Sequence, residues 1–215
     1  MKILSVEVKE NVHLPWPDED SVIVAIGNIA GVTHNKDDTE YQTCFKRVMQ
    51  CIKSGHHSVL EHINLSIDCT VDRGTSHALV RHRHCAVTQE STLYSKYKDD
   101  CAFIALPITD PVTDKAVGQI DVSILGKIEF EYHKLLKEGV INTLARDILP
   151  NCLATRLVIT TNIREWWHII QLRKSPADSV RMHCFAYQLN KLLCASYPNI
   201  TGALTSWSEN GSKTL

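Results

Sequence analysis

The sequence lacks every feature that would point to a membrane or to export. In 215 residues there is no apolar run that approaches the length of a membrane-spanning helix. The first residues, Met1 to Val6, lack the long apolar core of a signal peptide. Internal repeats, low-complexity segments and linkers are also absent. We therefore expect a cytoplasmic protein of one domain, residues 1–215, with no membrane partner.

An excess of charge of either sign is missing as well. Lys and Arg number 23, Asp and Glu number 24, and the formal net charge is -1. A protein that binds the phosphate backbone of nucleic acid normally carries a basic face. A nucleic-acid-binding module built on the basic residues 81–84 is therefore a weak alternative, and we expect no nucleic-acid partner.

Cys-x-x-Cys pairs are absent, although the chain contains 8 cysteines. Because zinc sites need closely spaced ligands, the sequence predicts no metal site. Most of the cysteines lie among apolar residues, which is typical of buried thiols in a reducing compartment. An enzyme that uses Cys85 as a nucleophile with His82 or His84 is a further weak alternative, since no acid that would orient the histidine is visible.

Hydrophobic periodicity predicts the main elements. Strict alternation over residues 63–71 predicts a strand with one apolar face. Residues 21–30 are apolar and leave strand and helix open. The Gly-, Ser- and Thr-rich residues from Tyr197 onward predict a frayed tail. Further predictions are strands over 2–8, 96–107 and 155–161, helices over 38–54, 119–138, 162–173 and 177–196, and a short helix capped by Asn142.

The most distinctive stretch follows the strand that is predicted with the clearest alternation. A turn is predicted at 72–74, and Thr75 or Ser76 is expected to cap a short helix after it. The residues Arg-His-Arg follow at 81–83, and Ser91 comes after seven more residues. Paired guanidiniums suit a planar or phosphorylated anion, because each offers a rigid fork of donors. Apolar neighbours on both sides argue against a merely solvated basic run.

A second polar stretch lies on a predicted helix. Asn162 is a good N-cap for a helix that runs through Arg173. Arg164, His168 and Gln171 lie at i, i+4 and i+7, so they share one face of that helix. An ordinary amphipathic helix would show the same spacing, so the pattern alone leaves both interpretations open.

In these two stretches the chain resembles the flavin-dependent thymidylate synthases. Arg-His-Arg, seven residues and Ser is that family's signature, and the flanks Asp-Arg-Gly and Gln-Glu-Ser-Thr also fit it. Asn-x-Arg, then a histidine four residues on, then Leu-Arg match its second long motif. A Ser-x-Leu-Glu-His segment at 58–62 is a third landmark. The resemblance covers residues 58–185 and implies an α/β fold in which helices pack on a mixed sheet.

The resemblance implies a reaction, the reductive methylation of dUMP at C5. The one-carbon unit comes from methylenetetrahydrofolate and the hydride from reduced FAD, which NADPH reduces first. FAD is therefore the expected cofactor, and dUMP, the folate and NADPH are the expected small-molecule partners. A homotetramer whose active sites use several subunits is implied in the same way.

The resemblance also carries functional residues onto this sequence. Those expected to bind the cofactor are His62, Arg81, His82, Arg83, Asn162, Arg164 and His168. Those expected to bind the nucleotide are Arg81, Gln89, Glu90, Ser91, Arg146, Arg173 and Arg181. The catalytic group comprises Arg173, Ser91 and His62.

Two of these roles rest on a chemical argument. Arg173 is expected at the pyrimidine, where its guanidinium would stabilise negative charge that develops on the ring. The alternative for Arg173 is a helix-terminal cation that complements the dipole. Ser91 is expected to bind the nucleotide phosphate and not to act as a nucleophile, because no triad pattern surrounds it.

Two residues depart from the family's pattern at positions expected to meet the nucleotide. Ala78 stands where members commonly carry Glu or Gln, and Leu93 stands where they carry Arg. A second interpretation therefore stays open, namely a homologue that binds FAD and a nucleotide but has an altered nucleotide substrate or weakened catalysis. A turnover assay with dUMP separates the two.

Overall fold

The computed structural model describes residues 1–10, 16–37, 39–95, 97, 100–105, 109–118 and 120–211. Its strands are β1 (Lys2–Leu4), β2 (Glu7–Glu10), β3 (Asn64–Asp72), β4 (Ala86–Gln89), β5 (Ala102–Ile104) and β6 (Ala154–Asn162). Its α-helices are α1 (Glu19–Gly31), α2 (Tyr41–Lys53), α3 (Arg73–Leu79), α4 (Val122–Lys137), α5 (Asn142–Ala145), α6 (Ile163–Arg173), α7 (Val180–Ser196) and α8 (Pro198–Gly211). Short 3-10 helices lie at Val32–His34, His57–His62 and Arg146–Ile148.

The main sheet is antiparallel and has the order β2-β3-β6-β4. β3 and β6 pair along their whole lengths, from Asn64 opposite Asn162 to Asp72 opposite Ala154. The alternation of β3 explains its place at the centre, because every second side chain from Leu65 onward is buried in the core. The predicted strands over 63–71 and 155–161 are confirmed, and so is the predicted combination of a mixed sheet system with packed helices.

The predicted strand over residues 2–8 is wrong, because the chain divides it between two sheets. β1 pairs in parallel with β5, and Lys2 lies opposite Ala102. β2 pairs antiparallel with β3, and Glu7 lies opposite Thr70. Val6 is buried in the main core where the chain passes from one sheet to the other. β5 lies inside the predicted strand over 96–107, of which residues 96, 98, 99, 106 and 107 lie outside the described part.

Helices cover the sheet and close the main core. The stretch 21–30, left open by its sequence, lies in α1, and the Asp18 carboxylate caps that helix by accepting the N–H of Ser21. At Gly27, α1 approaches α2 so closely that an added Cβ would lie 2.4 Å from the Cβ of Cys44. Only glycine permits this contact, so the helix pair depends on it.

The longer predicted helices are confirmed with somewhat shorter bounds. Residues 38 and 119, at two predicted starts, lie outside the described part. Within that part, no helix is long and apolar enough to cross a membrane. The predicted helices over 38–54, 119–138, 162–173 and 177–196 correspond to α2, α4, α6 and α7.

Two predicted helix caps are wrong. α3 is capped by Asp72, whose carboxylate accepts both the N–H and the hydroxyl of Thr75. Asn142 is the first residue of α5 but does not cap it, because its amide is engaged elsewhere. It accepts the Tyr132 hydroxyl at 2.9 Å and donates to the Thr92 carbonyl at 2.9 Å.

The predicted frayed tail is wrong for the residues from Pro198 to Gly211, which form α8, whereas residues 212–215 lie outside the described part. Tyr197, Ile200 and Leu204 are buried and lie at helical spacing on one face. Further along, the Trp207 ring meets the His57 ring edge to face, with the centroids 4.3 Å apart. Other small polar residues of the helix, such as Thr205 and Ser206, are exposed on its outer face, which explains why composition alone is misleading here.

Leu204→Ala should lower the free energy of unfolding by about 2–5 kcal/mol, because it deletes buried methyl groups and leaves a cavity. Leu204 is 1% exposed, and denaturant unfolding measures the change. Gly202→Ala is the matched control, since an added Cβ there meets no atom within 4 Å. It should be neutral or stabilise by up to about 1 kcal/mol. Wild-type stability in the Leu204 variant would show that α8 is not part of the folded core.

Candidate functional site

The two sequence motifs meet where α3 and α6 end. β3 passes through Asp72 into α3, and β6 passes through Asn162 into α6. The Asn162 side chain accepts the N–H of Glu165 at 2.9 Å, so both helices begin at a capping residue that ends a strand. Because β3 and β6 are antiparallel, the helices start at opposite ends of the ladder. Their C-terminal ends come together, and Arg173 there contacts His82.

Three acceptors hold the Arg173 guanidinium. Nε donates to Nε2 of His82 at 3.0 Å, Nη1 to the carboxylate of Asp178 at 3.1 Å, and Nη2 to the Ala78 carbonyl at 3.1 Å. The side chain is 17% exposed. A guanidinium has five N–H groups. One N–H on each terminal nitrogen therefore remains available to a ligand.

The contact with Arg173 fixes the protonation of His82. A guanidinium only donates, so Nε2 of His82 must accept, and the imidazole is neutral with its proton on Nδ1. Nδ1 lies 3.5 Å from the Glu165 carboxylate. Burial lowers the pKa of His82, and the charge of Arg173 lowers it further. The same ring lies edge to face with that of His168, with the centroids 6.3 Å apart.

A cleft of about 570 Å³ opens beside this cluster. Ala78 and Asp178, two of the three partners of Arg173, line it. So does Arg181, whose guanidinium lies 3.9 Å from the buried Asp72 carboxylate. Two carboxylates, Asp72 and Asp178, therefore line the cleft beside the cation Arg181, and each has a guanidinium within 3.9 Å. The unused N–H groups of the two guanidiniums suit an anion with a planar polar group.

A second cavity, of about 400 Å³, contains three of the residues expected to bind the cofactor. Asn162, Arg164 and His168 line it together with Glu61 and His84. Arg164 forms an ion pair with Glu61, which joins α6 to the 3-10 helix at 57–62. The Asn162 amide oxygen is used in capping, and its amide nitrogen has no partner within the described part of the chain.

Arg81 and Arg83 are exposed, and neither has a partner within the described residues. His82 between them is buried. The motif thus points one side chain into the protein, where it holds Arg173, and two guanidiniums outward. Both exposed guanidiniums remain free to bind an anionic ligand.

His62 lines a third cavity, of about 900 Å³, on the other side of the 3-10 helix from the Arg164 cavity. Lys36, Arg47, His34 and His56 also line it, together with apolar residues such as Val59. Among the described residues that line it, none is acidic. Its chemistry suits a ligand with an apolar body and a negative charge.

The turn over residues 91–95 is held from the side. The Ser91 hydroxyl accepts the N–H of Leu93 at 3.2 Å. Asn142 donates to the carbonyls of Thr92 and Leu93 at 2.9 and 3.3 Å, and Arg146 donates to the Thr92 hydroxyl at 3.0 Å. The structure thus brings Ser91 and Arg146 together at one turn. The Leu93 side chain is 43% exposed beside them.

Gln89 and Glu90 are engaged with the protein. The Gln89 amide donates to the Ser76 hydroxyl at 2.9 Å and to the Thr155 hydroxyl at 3.3 Å. The Glu90 carboxylate accepts the N–H of Arg156 at 3.4 Å, and its own N–H donates to the Arg156 carbonyl at 2.9 Å. Both residues therefore fix the end of β4 beside β6.

Asp178 and Glu165 are site residues that sequence reasoning missed. Asp178 follows the second motif by five residues, in a connection with no periodic pattern, so no local signal marked it. Glu165 sits in the first turn of α6, where an acidic residue is ordinary. Within the described residues no group of three or more His, Cys, Asp or Glu side chains could hold a metal ion.

Comparisons with known proteins identify a family for the chain. Residues 13–199 match the family model described as thymidylate synthase complementing protein. A flavin-dependent thymidylate synthase of Mycobacterium tuberculosis is 28% identical over 204 residues, which cover 87% of this chain and 82% of that protein. Another, from Geobacter sulfurreducens, is 31% identical over 147 residues, which cover 68% of this chain and 63% of that protein.

A solved structure has the same fold. It is the UMP/dUMP methylase PolB from Streptomyces cacaoi bound with 5-Br dUMP, with a TM-score of 0.77 and 20% identity. The match covers 96% of this chain and 97% of that one. The family match spans most of the sequence and includes both motifs that meet at Arg173. The chain therefore belongs to the thymidylate synthase complementing protein family, the family of the flavin-dependent thymidylate synthases.

Proposed function

We propose that the chain is a flavin-dependent thymidylate synthase that acts as one domain. In this reaction dUMP, methylenetetrahydrofolate, NADPH and a proton give dTMP, tetrahydrofolate and NADP⁺. FAD, when bound, supplies the hydride chemistry by passing reducing equivalents from NADPH to the transferred one-carbon unit. One observation carries the proposal. Arg173 of the second motif is fixed by His82 of the first, and its partners Ala78 and Asp178 line a cleft together with Arg181.

The pyrimidine site rests on Arg173. Its two remaining N–H groups can donate to a carbonyl oxygen of uracil, which accepts in the plane of the ring. Three internal acceptors fix the guanidinium before the nucleotide arrives. Fixed donors stabilise negative charge on the ring without reorganising, which is where such interactions lower a barrier most. We therefore assign Arg173 the main electrostatic role.

The phosphate is assigned to the cations and to the turn at 91–95. Arg146 and Ser91 lie at that turn, Arg181 lies on the cleft wall, and Arg81 is exposed and unpaired within the described residues. A dianionic phosphate favours such charge-assisted donors. Gln89 and Glu90 contribute mainly by holding the end of β4, because their side chains already have protein partners.

The residues of the Arg164 cavity fit part of FAD. Asn162 offers an amide donor there, and Arg83, which does not line the cavity, is one residue before His84, which does. Arg164 and His168 line the same cavity. Cations and amide donors are what a diphosphate needs. At about 400 Å³ the cavity is near the small end for a ligand site, so this chain would enclose only part of so large a cofactor.

The cavity that contains His62 is proposed for the folate. Methylenetetrahydrofolate combines a planar apolar body with carboxylates, and the described lining of this cavity combines an apolar wall with basic residues and includes no acidic one. His62 and Glu61 are adjacent but line different cavities, so the short helix at 57–62 separates the proposed folate and cofactor sites. A folate there would lie next to the flavin site.

A homotetramer is proposed as the working assembly. Several large apolar side chains are exposed on this single chain, among them Tyr94 at 84%, Phe130 at 66% and Ile141 at 63%. Soluble proteins bury such groups against a partner more often than they leave a contiguous patch in water. Light scattering with added FAD tests the assembly directly.

A second candidate is a methylase with an altered nucleotide substrate. Ala78 lines the cleft, and Leu93 lies beside the proposed phosphate residues, so both departures from the family pattern fall at the nucleotide. The fold neighbour is named a UMP/dUMP methylase, and UMP is therefore the alternative to test. Turnover with dUMP and with UMP, measured side by side with the same folate and NADPH, separates the two.

The first expected outcome concerns the cofactor. Purified protein should bind FAD, and Arg164→Ala should weaken that binding by about ten- to a hundred-fold, the value of a charge-assisted hydrogen bond. Calorimetry with FAD measures it. Arg156→Ala is the control, because it removes a guanidinium about 20 Å away along the same strand. Equal affinities for the two variants would exclude the assigned cavity, and no binding by the wild-type protein would exclude the cofactor.

Arg173→Ala should lower the rate of methyl transfer by about a hundred- to a thousand-fold, because it removes a fixed donor from the reacting ring. Arg173→Lys should lower the rate of methyl transfer to a similar extent, because the compact charge of lysine cannot bind three acceptors and a pyrimidine at once. Single-turnover assays with FAD-loaded protein measure the rate. Lys174→Ala, which changes the exposed neighbouring cation, is the control. Near-normal turnover in Arg173→Ala would refute the assigned role.

Leu93→Arg should tighten dUMP binding by about ten- to a hundred-fold, because it adds a charge-assisted donor beside the phosphate. Leu93 is already 43% exposed, so the larger side chain needs no new space. Calorimetry with dUMP measures the change. Tyr94→Arg adds the same charge one residue away, at a side chain that is 84% exposed, and should change little. An equal gain in both variants would indicate bulk charge and not a phosphate contact.

A further inference from the structure

A buried ion pair lies between α7 and the loop over residues 109–118. Nδ1 of His183 lies 2.7 Å from the Asp110 carboxylate, and the two side chains are 1% and 5% exposed. Nε2 of His183 lies 2.8 Å from the Ser175 carbonyl, in the connection between α6 and α7. Neither residue belongs to the motifs or to the proposed ligand sites.

The partners of His183 determine its charge. A carbonyl oxygen only accepts, so Nε2 must carry a proton, and the carboxylate at Nδ1 requires a second one. His183 is therefore an imidazolium that donates from both nitrogens. Burial opposes its charge, but the Ser175 carbonyl and the Asp110 carboxylate outweigh burial and raise the pKa of His183. Burial likewise opposes ionisation of Asp110, yet the Val112 N–H and His183 lower its pKa to about 2.

Asp110 also organises the loop around itself. Its carboxylate accepts the N–H groups of Val112 and Thr113 at 2.9 and 3.4 Å. Its own N–H donates to the Lys115 carbonyl at 2.9 Å, and its carbonyl accepts the N–H of Asp114 at 2.9 Å. The bond to His183 therefore holds a whole turn and not a single side chain.

That turn leads into the wall of the nucleotide cleft. Val117, Gly118 and Ile120 line the cleft opposite the connection that carries Asp178. The same connection supplies the Ser175 carbonyl to His183 and the Asp178 carboxylate to Arg173. His183 thus joins the two sides of the cleft, one through each ring nitrogen.

We propose that His183 and Asp110 are positioning residues, an ionic latch that holds the 109–118 loop as the wall of the nucleotide cleft. This inference rests on the proposed nucleotide function of that cleft. The latch touches neither the pyrimidine nor the flavin, so it acts on nucleotide affinity through the shape of the wall and the place of Asp178.

The latch makes nucleotide binding depend on pH in a defined direction. Among the described residues, the charged or titratable groups near His183 are Asp110, Asp178 and the Cys184 thiol, and burial raises the pKa of that thiol to about 11. His183 has a raised pKa, so its contribution is complete below the ordinary value of about 6.5 and is lost as the pH rises through the raised one. The latch is therefore closed below about pH 6.5 and opens as the pH rises through the raised pKa of His183.

Asp110→Asn tests the latch, because the amide oxygen still caps the turn while the charge is lost. The dissociation constant of dUMP should rise about five-fold or more at pH 7. As the pH rises through the raised pKa of His183, the two proteins should converge, since the wild-type imidazole also loses its charge. Calorimetry from pH 7 to 9 gives the ratio of the dissociation constant of the variant to that of the wild type. The titration of the nucleotide itself affects both constants equally and cancels in this ratio. Asp114→Asn is the matched control, an exposed charge in the same loop that should leave the ratio near one.

Trypsin cleavage after Lys115 gives a second readout that needs no nucleotide. It should be faster in Asp110→Asn than in wild type at pH 7, and equal in Asp114→Asn. If Asp110→Asn fails to fold, His183→Gln replaces it, because the glutamine amide can still donate to Ser175. An unchanged dUMP affinity and pH profile in the folded variant would overturn the latch. No dUMP binding by wild type would overturn both proposals for the cleft, whereas the cleavage pattern would still show whether the ion pair orders the loop.

Discussion

The antiparallel pairing of β3 with β6 is the constraint on which the site depends. Each strand has 9 residues and runs directly into a helix capped by its own last residue. Two helices that leave opposite ends of one ladder meet only if both turn back along it. The ladder spans about 27 Å, and helices of 7 and 11 residues cover about 10 and 16 Å of it. The lengths match, which is why Arg173 reaches His82.

The electrostatics at that meeting point follow from partial burial. A guanidinium that is mostly shielded from water needs acceptors, and Arg173 has a carboxylate, a carbonyl and a neutral imidazole. His82 stays neutral because the positive charge beside it disfavours a second one. Arg81 and Arg83 are exposed to water, so their guanidiniums do not need acceptors from the protein. A single Arg-His-Arg motif therefore provides one internal support and two cations that remain available to ligands.

Features that depend on neighbouring residues could be predicted from the sequence. Contacts between distant parts of the chain could not. The alternation of residues 63–71 and the Asn162 cap are local signals, and both were reliable. β4 had no counterpart among the predicted elements, because a strand of 4 residues shows too little alternation to stand out. Asp178 and His183 act through partners at other points of the chain, so only the folded structure joins them. α8 was missed because its outer face is rich in small polar residues.

The two departures from the family pattern lie at residues that the protein holds by hydrogen bonds to their main-chain carbonyls. Arg173 donates to the main-chain carbonyl of residue 78, so this hydrogen bond forms whether that residue is alanine or glutamine. Asn142 likewise binds the carbonyls of residues 92 and 93, so the shape of the turn does not depend on the Leu93 side chain. Both side chains are free to change without loss of the scaffold that fixes Arg173. If the cleft binds the proposed nucleotide, Ala78 and Leu93 are therefore expected to alter which nucleotide binds, and how tightly, while the guanidinium of Arg173 keeps its place.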